Sequence, residues 1–551
     1  MSALNIATRA LTTNQAVLQV IGHNIANANT DGYTRQRVEL NSVPGQQLGS
    51  GYFGKGVQIE AVVREGYNAF LTRESNANRA VAAADATRLQ YLQGVESLFP
   101  LCEGSLGKLL GDALNSWTDV AASPNDSAAR QVVLDKFDEL AARIRDTSAR
   151  ITDIATGARL QATEITNEIN RLAQAIANVN QAIARAQGTG ASPNDLLDQR
   201  DRLIAQLNEQ VQVTTLPADD GTLSVFVAGS LPLVLGSTAA ELRAARADLD
   251  GDRQLKLQFV QGASTYDVPP EFIPGGKLKG VLDFVNRDVI QTQAELGRMA
   301  LALATAVNQQ HQLGLDLNGA PGGILLGFGP LVGKPASTNT GAGTVTAGVS
   351  NATQLRGEDY VIEIGGSGTY VRRTSDGYYW TGSIWQAAQT VASTLNPDGL
   401  SITISGGSVG DRFLLSPGAS AAASLQMALS HPRQLAAATG AGGAVVEFDG
   451  RNAEAMLALR DQVMFDGSVK LSEGYVAVFS KLASRVNEAQ TRATFSQAQA
   501  EDAEQRRANQ AGVNLDEEAA RLLQFQQAYQ ASAKYLQTVQ SIFDTLISTF
   551  R

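Results

Sequence analysis

The residues best suited to catalysis or metal binding are scattered along this chain of 551 residues. Its three histidines, His23, His311 and His431, stand far apart, and none has the spacing of a zinc-ligand pair. Cys102 is the only cysteine, which excludes an internal disulfide and a thiolate-based metal site. We therefore expect no catalytic residues, no cofactor and no metal.

Two local patterns could still indicate a ligand site. Gly49, Gly51 and Gly54 have the spacing of a dinucleotide-binding loop, but extended chain rather than a helix is predicted after them, which favours a hairpin loop. Asp219 and Asp220 form a carboxylate pair within a turn, where such pairs are ordinarily solvated. Neither pattern predicts a binding site.

The composition is that of an ordinary soluble protein with several domains. Hydrophobic residues make up 44% of the chain and charged residues 18%. The net charge is −10, without a basic stripe, so we expect no nucleic-acid partner. No apolar run reaches membrane-spanning length, and residues 1–20 lack the pattern of a cleaved signal peptide, so we expect no membrane insertion.

The strongest periodic signal lies in the C-terminal stretch. Asn514 is a good helix N-cap, and apolar residues recur after it at alternating spacings of four and three. This heptad series comprises Leu515, Ala519, Leu522, Gln526, Tyr529, Ala533, Leu536, Gln540, Phe543, Ile547 and Phe550. A second series beside it comprises Phe525, Ala528, Ser532, Tyr535, Val539, Ile542 and Leu546. Few charges follow Arg521, which predicts a helix with partners on more than one side.

The N-terminal stretch carries a heptad series of apolar residues similar to that of the C-terminal stretch. Residues 2–29 carry the series Leu4, Ala7, Leu11, Asn14, Leu18, Ile21, Ile25 and Ala28, with Arg9 as the only charged residue. Two such helices suit each other as a parallel or antiparallel pair with apolar surface left over. We interpret this surplus as an assembly interface, although burial within a globular domain of the same chain fits the pattern equally well. The predicted interface residues are Leu4, Leu11, Leu18, Ile25, Leu515, Leu522, Tyr529, Leu536 and Phe543.

The chain between the ends alternates between helical and strand-rich regions. The pattern predicts an α+β, multidomain protein with terminal helices paired as a coiled coil, a long helical-bundle rod domain and inserted mainly-β domains. The predicted domains are residues 1–60 with 512–551 as the terminal helical assembly domain, residues 61–211 with 276–317 and 451–511 as the rod, residues 212–275 as a small β insertion, and residues 318–450 as a β-rich outer domain.

Both ends of the chain resemble the bacterial flagellar rod, hook and hook-associated protein family. The stretches that carry the resemblance are Ala3–Asn5, Asn24–Tyr33, Gly512–Glu518 and Leu523–Lys534. Three internal stretches, Asn194–Asp201, Gly275–Phe284 and His311–Gly319, are similar to the hook-associated protein 1 branch of that family. Residues 212–274 and 320–450 show no close resemblance.

The resemblance implies a structural protein rather than an enzyme. It implies a layer at the hook–filament junction, built from copies of this chain in a ring or helical layer, with the hook protein on one side and hook-associated protein 3 on the other. It further implies export by the flagellar type III system, so that the protein is cytoplasmic before export and extracellular afterwards. A cytoplasmic export chaperone would hold the C-terminal helix, and the expected contacts are Leu522, Phe525, Tyr529, Tyr535, Leu536, Ile542 and Phe543.

Other classes of protein stay open at this point. A catalytic insertion within residues 320–450 would make the chain an enzyme, although no motif supports one. A secreted coiled-coil effector or adhesin, or another rod or hook protein, would share the terminal helices. The aromatic cluster Tyr378, Tyr379, Trp380 and Trp385 could form a binding face in an adhesin, but core packing in a small β domain is favoured.

Overall fold

The computed structural model describes residues 2–30, 32–48, 51–100, 104–188, 192–246, 254–439 and 445–549. Gly49, Cys102 and Phe550 lie outside these ranges. The helices are α1 (Ser2–Ala26), α2 (Ala69–Glu96), α3 (Leu106–Asn115), α4 (Trp117–Ala122), α5 (Ser127–Gly188), α6 (Asn194–Gln210), α7 (Lys277–Asp283), α8 (Ile290–Gln312), α9 (Pro417–Ser424), α10 (Arg451–Ala458), α11 (Gly474–Ala511) and α12 (Leu515–Thr549). None of these described helices combines the length and apolar character needed to cross a membrane.

The strands form several small antiparallel sheets. They are β1 (Gln36–Ser42), β2 (Gln46–Leu48), β3 (Gly51–Phe53), β4 (Val57–Arg64), β5 (Val213–Pro217), β6 (Leu223–Val227), β7 (Leu231–Leu235), β8 (Thr238–Ala239), β9 (Glu241–Arg246), β10 (Leu255–Gln261), β11 (Ser264–Val268), β12 (Leu326–Gly327), β13 (Leu331–Val332), β14 (Lys334–Pro335), β15 (Thr344–Val349), β16 (Tyr360–Gly365), β17 (Gly368–Arg373), β18 (Tyr379–Trp380), β19 (Trp385–Gln386), β20 (Leu400–Ser405), β21 (Arg412–Leu415), β22 (Gln426–Met427), β23 (Val463–Phe465) and β24 (Val469–Lys470). The α+β, multidomain fold class predicted from the sequence is confirmed.

Helices α1 and α12 pack together in antiparallel orientation. The Asn14 side chain near the middle of α1 donates to Ser532 Oγ at 3.1 Å, whereas Asn24 near its end donates to Glu518 at the start of α12. Helix α12 starts as the sequence predicts, because Asn514 Oδ1 accepts the backbone N–H groups of the next helical turn.

The extended arm between α1 and α2 is a long hairpin. Strands β1 and β4 pair over their whole length, with one irregularity between Glu39 and Leu40, and β2 pairs with β3 at the tip. The base of the arm packs against α1. The domain boundary predicted at residue 60 therefore falls inside β4.

The rod consists of long helices. Helix α5 has 62 residues and at about 1.5 Å per residue is roughly 90 Å long. Apolar residues recur along it at heptad spacing, which predicts a helix with one packed face. Of this series Ile154 is half-buried, and the others are buried: Ile151, Ala158, Ala162, Ile165, Ile169, Leu172, Ile176, Val179 and Ile183. Helices α2 and α11 pack along each other, and α7 and α8 complete the bundle. A π-helical turn, Phe284–Val289, joins α7 to α8 and carries Asp288, which forms a buried ion pair with Arg88.

Two insertions leave the rod. Residues 213–268 form a four-stranded sheet in the order β5-β6-β7-β8 and a three-stranded sheet in the order β11-β10-β9. Side-chain amides on the rod bind single strand residues through both backbone N–H and C=O, in the pairs Asn180 with Leu223, Asn170 with Leu242, and Asn286 with Leu255. The outer insertion has sheets ordered β13-β15-β20 and β14-β21-β16-β17-β18-β19, which are open rather than closed into a barrel.

The return of the chain to the rod differs from the sequence prediction. Apolar residues at helical spacing, Leu471, Tyr475, Val478 and Leu482, predict a long helix from about Asp466, but α11 begins at Gly474. The preceding residues form the β23–β24 hairpin, in which Asp466 adopts a positive φ of 51° and Gly467 one of 72°. Backbone in this region is incompatible with a continuing right-handed helix, so the turn delays the helix start.

Candidate functional site

The terminal helix pair is incompletely buried. On α1, the buried positions are Ala7, Thr13, Val17, Ile21 and Asn24, and they form a single stripe toward α12 and the arm. On α12, Glu518 is the only fully buried side chain among the described residues. A helix pair in a closed globular domain would bury far more of two apolar series.

The residues predicted for assembly lie beside or outside this stripe. Leu11, Leu18, Ile25, Leu522, Tyr529 and Leu536 are half-buried, whereas Leu4, Leu515 and Phe543 are exposed. Of the residues predicted only for chaperone binding, Phe525 is half-buried, and Tyr535 and Ile542 are exposed. The structure thus brings Leu11, Leu18, Leu522, Phe525, Tyr529 and Leu536 into one pair, and it leaves Ile542 and Phe543 at an uncovered end.

That uncovered end is the last part of α12. Half-buried positions recur along α12 as far as Val539, and every described residue from Gln540 to Thr549 is exposed. Large apolar side chains here are half-exposed or more: Ile542 57%, Phe543 54%, Leu546 51% and Ile547 51%. Such a concentration of exposed apolar residues is typical of interaction surfaces.

A polar network joins the helix pair to the arm. Glu518 accepts hydrogen bonds from Arg35 Nε at 2.7 Å and from Asn24 Nδ2 at 3.1 Å. Asn24 Oδ1 in turn accepts from Tyr33 OH at 2.8 Å and from the backbone N–H of Gln36 at 2.9 Å. The side chains of Glu518, Asn24 and Tyr33 are all hydrogen-bonded here, and Arg35 Nη2 lies 2.7 Å from Glu518 Oε1 in an ion pair. The network therefore fixes α12, α1 and the arm relative to one another.

A second half of the network joins the arm to the rod through α6. Arg64 Nη1 binds Asp198 at 3.1 Å and Asp201 at 2.6 Å. The backbone N–H of Thr34 donates to Asp198 Oδ2 at 3.1 Å, and Asn194 Nδ2 donates to the carbonyl oxygen of Val62 at 2.8 Å. We call the residues joined by these contacts the junction network. Its members are Asn24, Tyr33, Thr34, Arg35, Gln36, Val62, Arg64, Asn194, Asp198, Asp201 and Glu518.

Burial governs the electrostatics of the junction network. Burial raises the pKa of Asp198, against the opposing effects of the Thr34 N–H and the Arg64 guanidinium. Burial, together with the negative charges of Asp198 and Asp195, holds the pKa of the Tyr33 phenol well above its usual range. Tyr33 therefore stays a neutral hydrogen-bond donor to Asn24 at physiological pH.

These polar residues are not among the predicted site residues, although the stretches that resemble the flagellar family contain most of them. Asn24 and Tyr33 stand in the N-terminal signature, Asn194, Asp198 and Asp201 in an internal one, and Glu518 in the C-terminal one. The structure brings the three signatures together at one place. The available signal was that all three stretches are dense in Asn, Asp and Glu next to apolar helices, which predicts buried polar partners.

The three histidines have structural surroundings. His311 is fully buried, with Nδ1 2.8 Å from the carbonyl oxygen of Gly323 and Nε2 accepting the N–H of Ala436 at 2.8 Å. His431 caps a short 3₁₀ helix, and His23 lies 3.6 Å from Asp195 at the surface. Within the described ranges, no three His, Cys, Asp or Glu side chains are grouped as metal ligands.

One motif of the outer domain has the residue spacing of a hydrolase nucleophile. Gly406 to Gly410 fits the G-x-S-x-G pattern of a nucleophile elbow, which requires a strand-to-helix turn. Here the motif connects strands β20 and β21, and the backbone N–H of Ser408 donates to the buried carboxylate of Asp411 at 2.8 Å. The motif therefore forms an ordered loop without the geometry of a nucleophile elbow.

The aromatic cluster belongs to the core of the outer domain. Trp380 is buried, and the Trp385 ring stacks with Tyr360 and lies 4.6 Å from the Arg373 guanidinium. Trp385 Nε1 donates to Asp398. Core packing, which the sequence favoured, therefore accounts for Trp380 and Trp385, whereas Tyr378 is 41% exposed and lies outside the core.

Four segments of the chain match known families. Residues 4–34 match the flagella basal body rod protein family, and residues 504–549 match the flagellar basal body rod FlgEFG protein C-terminal family. Residues 92–326 match the flagellar hook-associated protein FlgK helical domain, and residues 335–417 match the flagellar hook-associated protein 1 D2-like domain.

Whole-chain comparisons agree with these matches. The chain is 31% identical to flagellar hook-associated protein 1 of Salmonella typhimurium and 30% identical to that of Escherichia coli, over 99% of both chains in each case. It is 24% identical to the Bacillus subtilis protein of the same name, over 99% of this chain and 97% of the other. The flagellar hook junction protein FlgK of Burkholderia pseudomallei has a similar fold, with a TM-score of 0.69 and 20% identity over 79% of this chain and 99% of that one.

Proposed function

Because this chain belongs to the flagellar hook-associated protein 1 family, whose members are structural components of the hook–filament junction, we propose that its terminal helix pair is the surface through which copies assemble into the junction. The interface consists of the predicted residues Leu4, Leu11, Leu18, Ile25, Leu515, Leu522, Tyr529, Leu536 and Phe543. Among the described residues, the rod and the two β insertions share one apolar core, and no residue of α1 or α12 belongs to it.

The observation that carries the proposal is the contrast in burial along two series of the same period. Nearly all positions of the α5 series are buried, with Ile154 half-buried. In the terminal pair only Ala7 and Ile21 of the α1 series are buried, and every described position of the α12 series is half-buried or exposed in the single chain. Burying this surplus against neighbours would contribute about 25 cal/mol for each Å² of apolar surface removed from water. The same surface would be an aggregation hazard if it stayed uncovered.

The test places a charge on the interface. Leu18→Asp and Leu536→Asp introduce carboxylates at half-buried positions, and Gln19→Asp and Gln537→Asp place the same charge on exposed neighbours as matched controls. We expect the first pair to abolish filament attachment and motility while the secreted chain stays folded, and the control pair to preserve both. Normal motility of the Leu18→Asp and Leu536→Asp strains would reject the interface.

Partners on either side of the junction are part of the same proposal. Hook protein on one face, hook-associated protein 3 on the other and further copies of this chain within the layer would together cover the exposed residues of α1 and α12. Pull-down of each purified partner by wild-type chain and by Leu536→Asp tests this arrangement. Equal recovery of every partner by the two chains would place the contacts elsewhere.

Export and localisation follow from assembly outside the cell. We propose that the chain is held in the cytoplasm by an export chaperone that covers Leu522, Phe525, Tyr529, Tyr535, Leu536, Ile542 and Phe543, and that it is extracellular once it has passed through the flagellar type III system. An apolar helix is suited to a groove on such a chaperone. Phe525→Ala with Tyr535→Ala should weaken chaperone binding by at least about tenfold, or ~1.4 kcal/mol, in calorimetry.

A purely structural role completes the proposal. The buried His311 and the capping His431 each accept a backbone N–H, and the backbone N–H of Ser408 donates to the Asp411 carboxylate, so these contacts account for all three. Hydrolase assays on purified chain should therefore give no activity above buffer, and turnover that disappears in Ser408→Ala would overturn this part of the proposal.

A further inference from the structure

A groove lies at the opposite end of the helix pair from the uncovered part of α12. Val17 and Ile21 of α1 form its buried floor, Val38 and Leu40 of the arm form one wall, and Phe525 of α12 forms the other. Its volume is about 280 Å³. We call it the arm groove.

The wall formed by the arm continues as uncovered apolar surface. Leu40 is 42% exposed and pairs directly with Ile59 of the neighbouring strand, which is 41% exposed. Directly opposed residues of an antiparallel ladder share a face, so these two side chains form one apolar strip beside the groove. An isolated two-stranded hairpin is marginally stable in water, so the arm gains from a partner that covers this strip.

The distal segment of α12, residues 541–549, has an apolar face that complements the apolar surface of the groove. Ile542, Phe543, Leu546 and Ile547 lie on one face by helical spacing. On the other face, the hydroxyls of Thr545 and Ser548 donate to backbone carbonyls one turn earlier in the same helix, so they need no outside partner. The segment is therefore a short amphipathic helix whose apolar face lacks cover.

We propose that the distal segment of one copy docks its apolar face into the arm groove of the next copy. The two surfaces are both apolar. Arg37 and Arg521 line the groove and remain partly exposed beside Glu39 and Glu65, so they are available to Asp544, the only charged residue of the distal segment. The third charged lining residue, Glu518, is buried and bound by Arg35. The proposal rests on the assembly function above and specifies its geometry. The partner is a second copy of this chain.

Docking within one copy is excluded by distance. Phe525 at the groove and Leu546 in the distal segment are 21 positions apart on one continuous helix (546 − 525), so at 1.5 Å per residue they are separated by about 30 Å. Since the donor and acceptor surfaces are different, the contact is heterologous and continues from copy to copy. Such contacts build rings or helical layers rather than closed dimers.

Cysteine cross-linking in assembled flagella tests the contact. In a Cys102→Ser background, the full chain carries Leu40→Cys with Leu546→Cys, and isolated flagella are treated with a short bis-maleimide linker. We expect a ladder of dimers, trimers and larger species, because each copy carries both a donor and an acceptor. Leu40→Cys alone, Leu546→Cys alone and the pair Leu40→Cys with Ser548→Cys, whose second cysteine is on the opposite helix face, should each leave mostly uncross-linked chain.

The outcomes separate this contact from the assembly function on which it rests. If immunodetection finds the doubly substituted chain in the flagella but no ladder forms, the docking is wrong and assembly stands. If the ladder stops at dimers, the contact is not heterologous. If the chain is absent from the flagella, a charge-pair test replaces the cross-link: the amount of chain incorporated into flagella is compared for Leu40→Arg, Leu546→Glu and the double variant. Higher incorporation of the double variant than of either single variant supports docking. Incorporation no higher than that of the single variants rejects docking.

Discussion

The rod and the terminal helix pair have similar apolar periodicity and opposite burial. Ile151, Ala162 and Ile169 of α5 are buried by helices and strands of the same chain. At corresponding heptad positions of the terminal pair, Leu4 is 40% and Leu515 49% exposed. Periodicity thus identifies a helix with an apolar face, and it does not identify whether the partner of that face belongs to the same chain.

A first test removes one half of the ion pair buried in the rod. Asp288 binds Arg88 through two hydrogen bonds of 2.8 and 3.0 Å, and both side chains are buried. Asp288→Ala leaves a buried guanidinium without its carboxylate, which typically costs about 3–5 kcal/mol of unfolding free energy. Urea unfolding measures the loss. The control Asp267→Ala removes an exposed ion pair with Lys256 and should cost at most about 1 kcal/mol.

A second test compares truncations in the two regions directly. Ile169→Ala in the rod should lower the unfolding free energy by about 2–5 kcal/mol, because it leaves a cavity in a closed core. Leu536→Ala removes a half-buried side chain, so it should cost the free chain about 1 kcal/mol or less while reducing incorporation into flagella. If Leu536→Ala destabilised the free chain as much as Ile169→Ala, the terminal pair would be a closed core as well.

A substitution in the junction network should destabilise the terminal helix pair and leave the stability of the rod unchanged. Glu518→Ala removes the acceptor for Arg35 and Asn24, which leaves buried donors unsatisfied at a cost of about 1–3 kcal/mol. We expect faster proteolytic release of α1 and α12 with unchanged thermal unfolding of the rod. Asp516→Ala changes an exposed carboxylate in the same helical turn and should leave the cleavage rate unaltered. A fall in rod stability in Glu518→Ala would show that the network supports the rod itself.

The smallest expected effect is a decrease in the unfolding free energy of the rod at acidic pH, caused by His311. Burial lowers the pKa of His311, so the neutral ring is favoured in the folded chain relative to the unfolded one, where the value is about 6.5. The contribution of His311 to the free energy of unfolding is therefore complete above pH 6.5. It decreases as the pH falls toward the pKa of His311 in the folded chain, by at most about 1.4 kcal/mol per pH unit. Chemical denaturation at pH 7.5 and 5.5 measures it. His311→Gln should lose this pH dependence, and His431→Gln, at an exposed cap, should retain it.

Much of the fold could be predicted because it depends on local patterns. The heptads of α5, the Asn514 cap, the β-hairpin arm and both strand-rich insertions follow from spacing and turn residues. The late start of α11 was also predictable, because Asp466-Gly467 is an Asp-Gly turn signal and the positive-φ turn that it forms keeps the helix from beginning before Gly474. The antiparallel orientation of the terminal pair and the junction network depend on contacts between residues hundreds of positions apart, for which spacing along the chain gives no signal.

The central claim is that the terminal helices find the rest of their burial only in neighbouring copies. Amide hydrogen exchange on the free chain and on the chain within isolated flagella tests it most directly, because exchange reports local opening along the chain. We predict rapid exchange of residues 2–26 and 515–549 in the free chain, strong protection of the same residues in the flagellum, and strong protection of α5 in both. Equal protection of the terminal helices in the free and assembled chain would contradict the account.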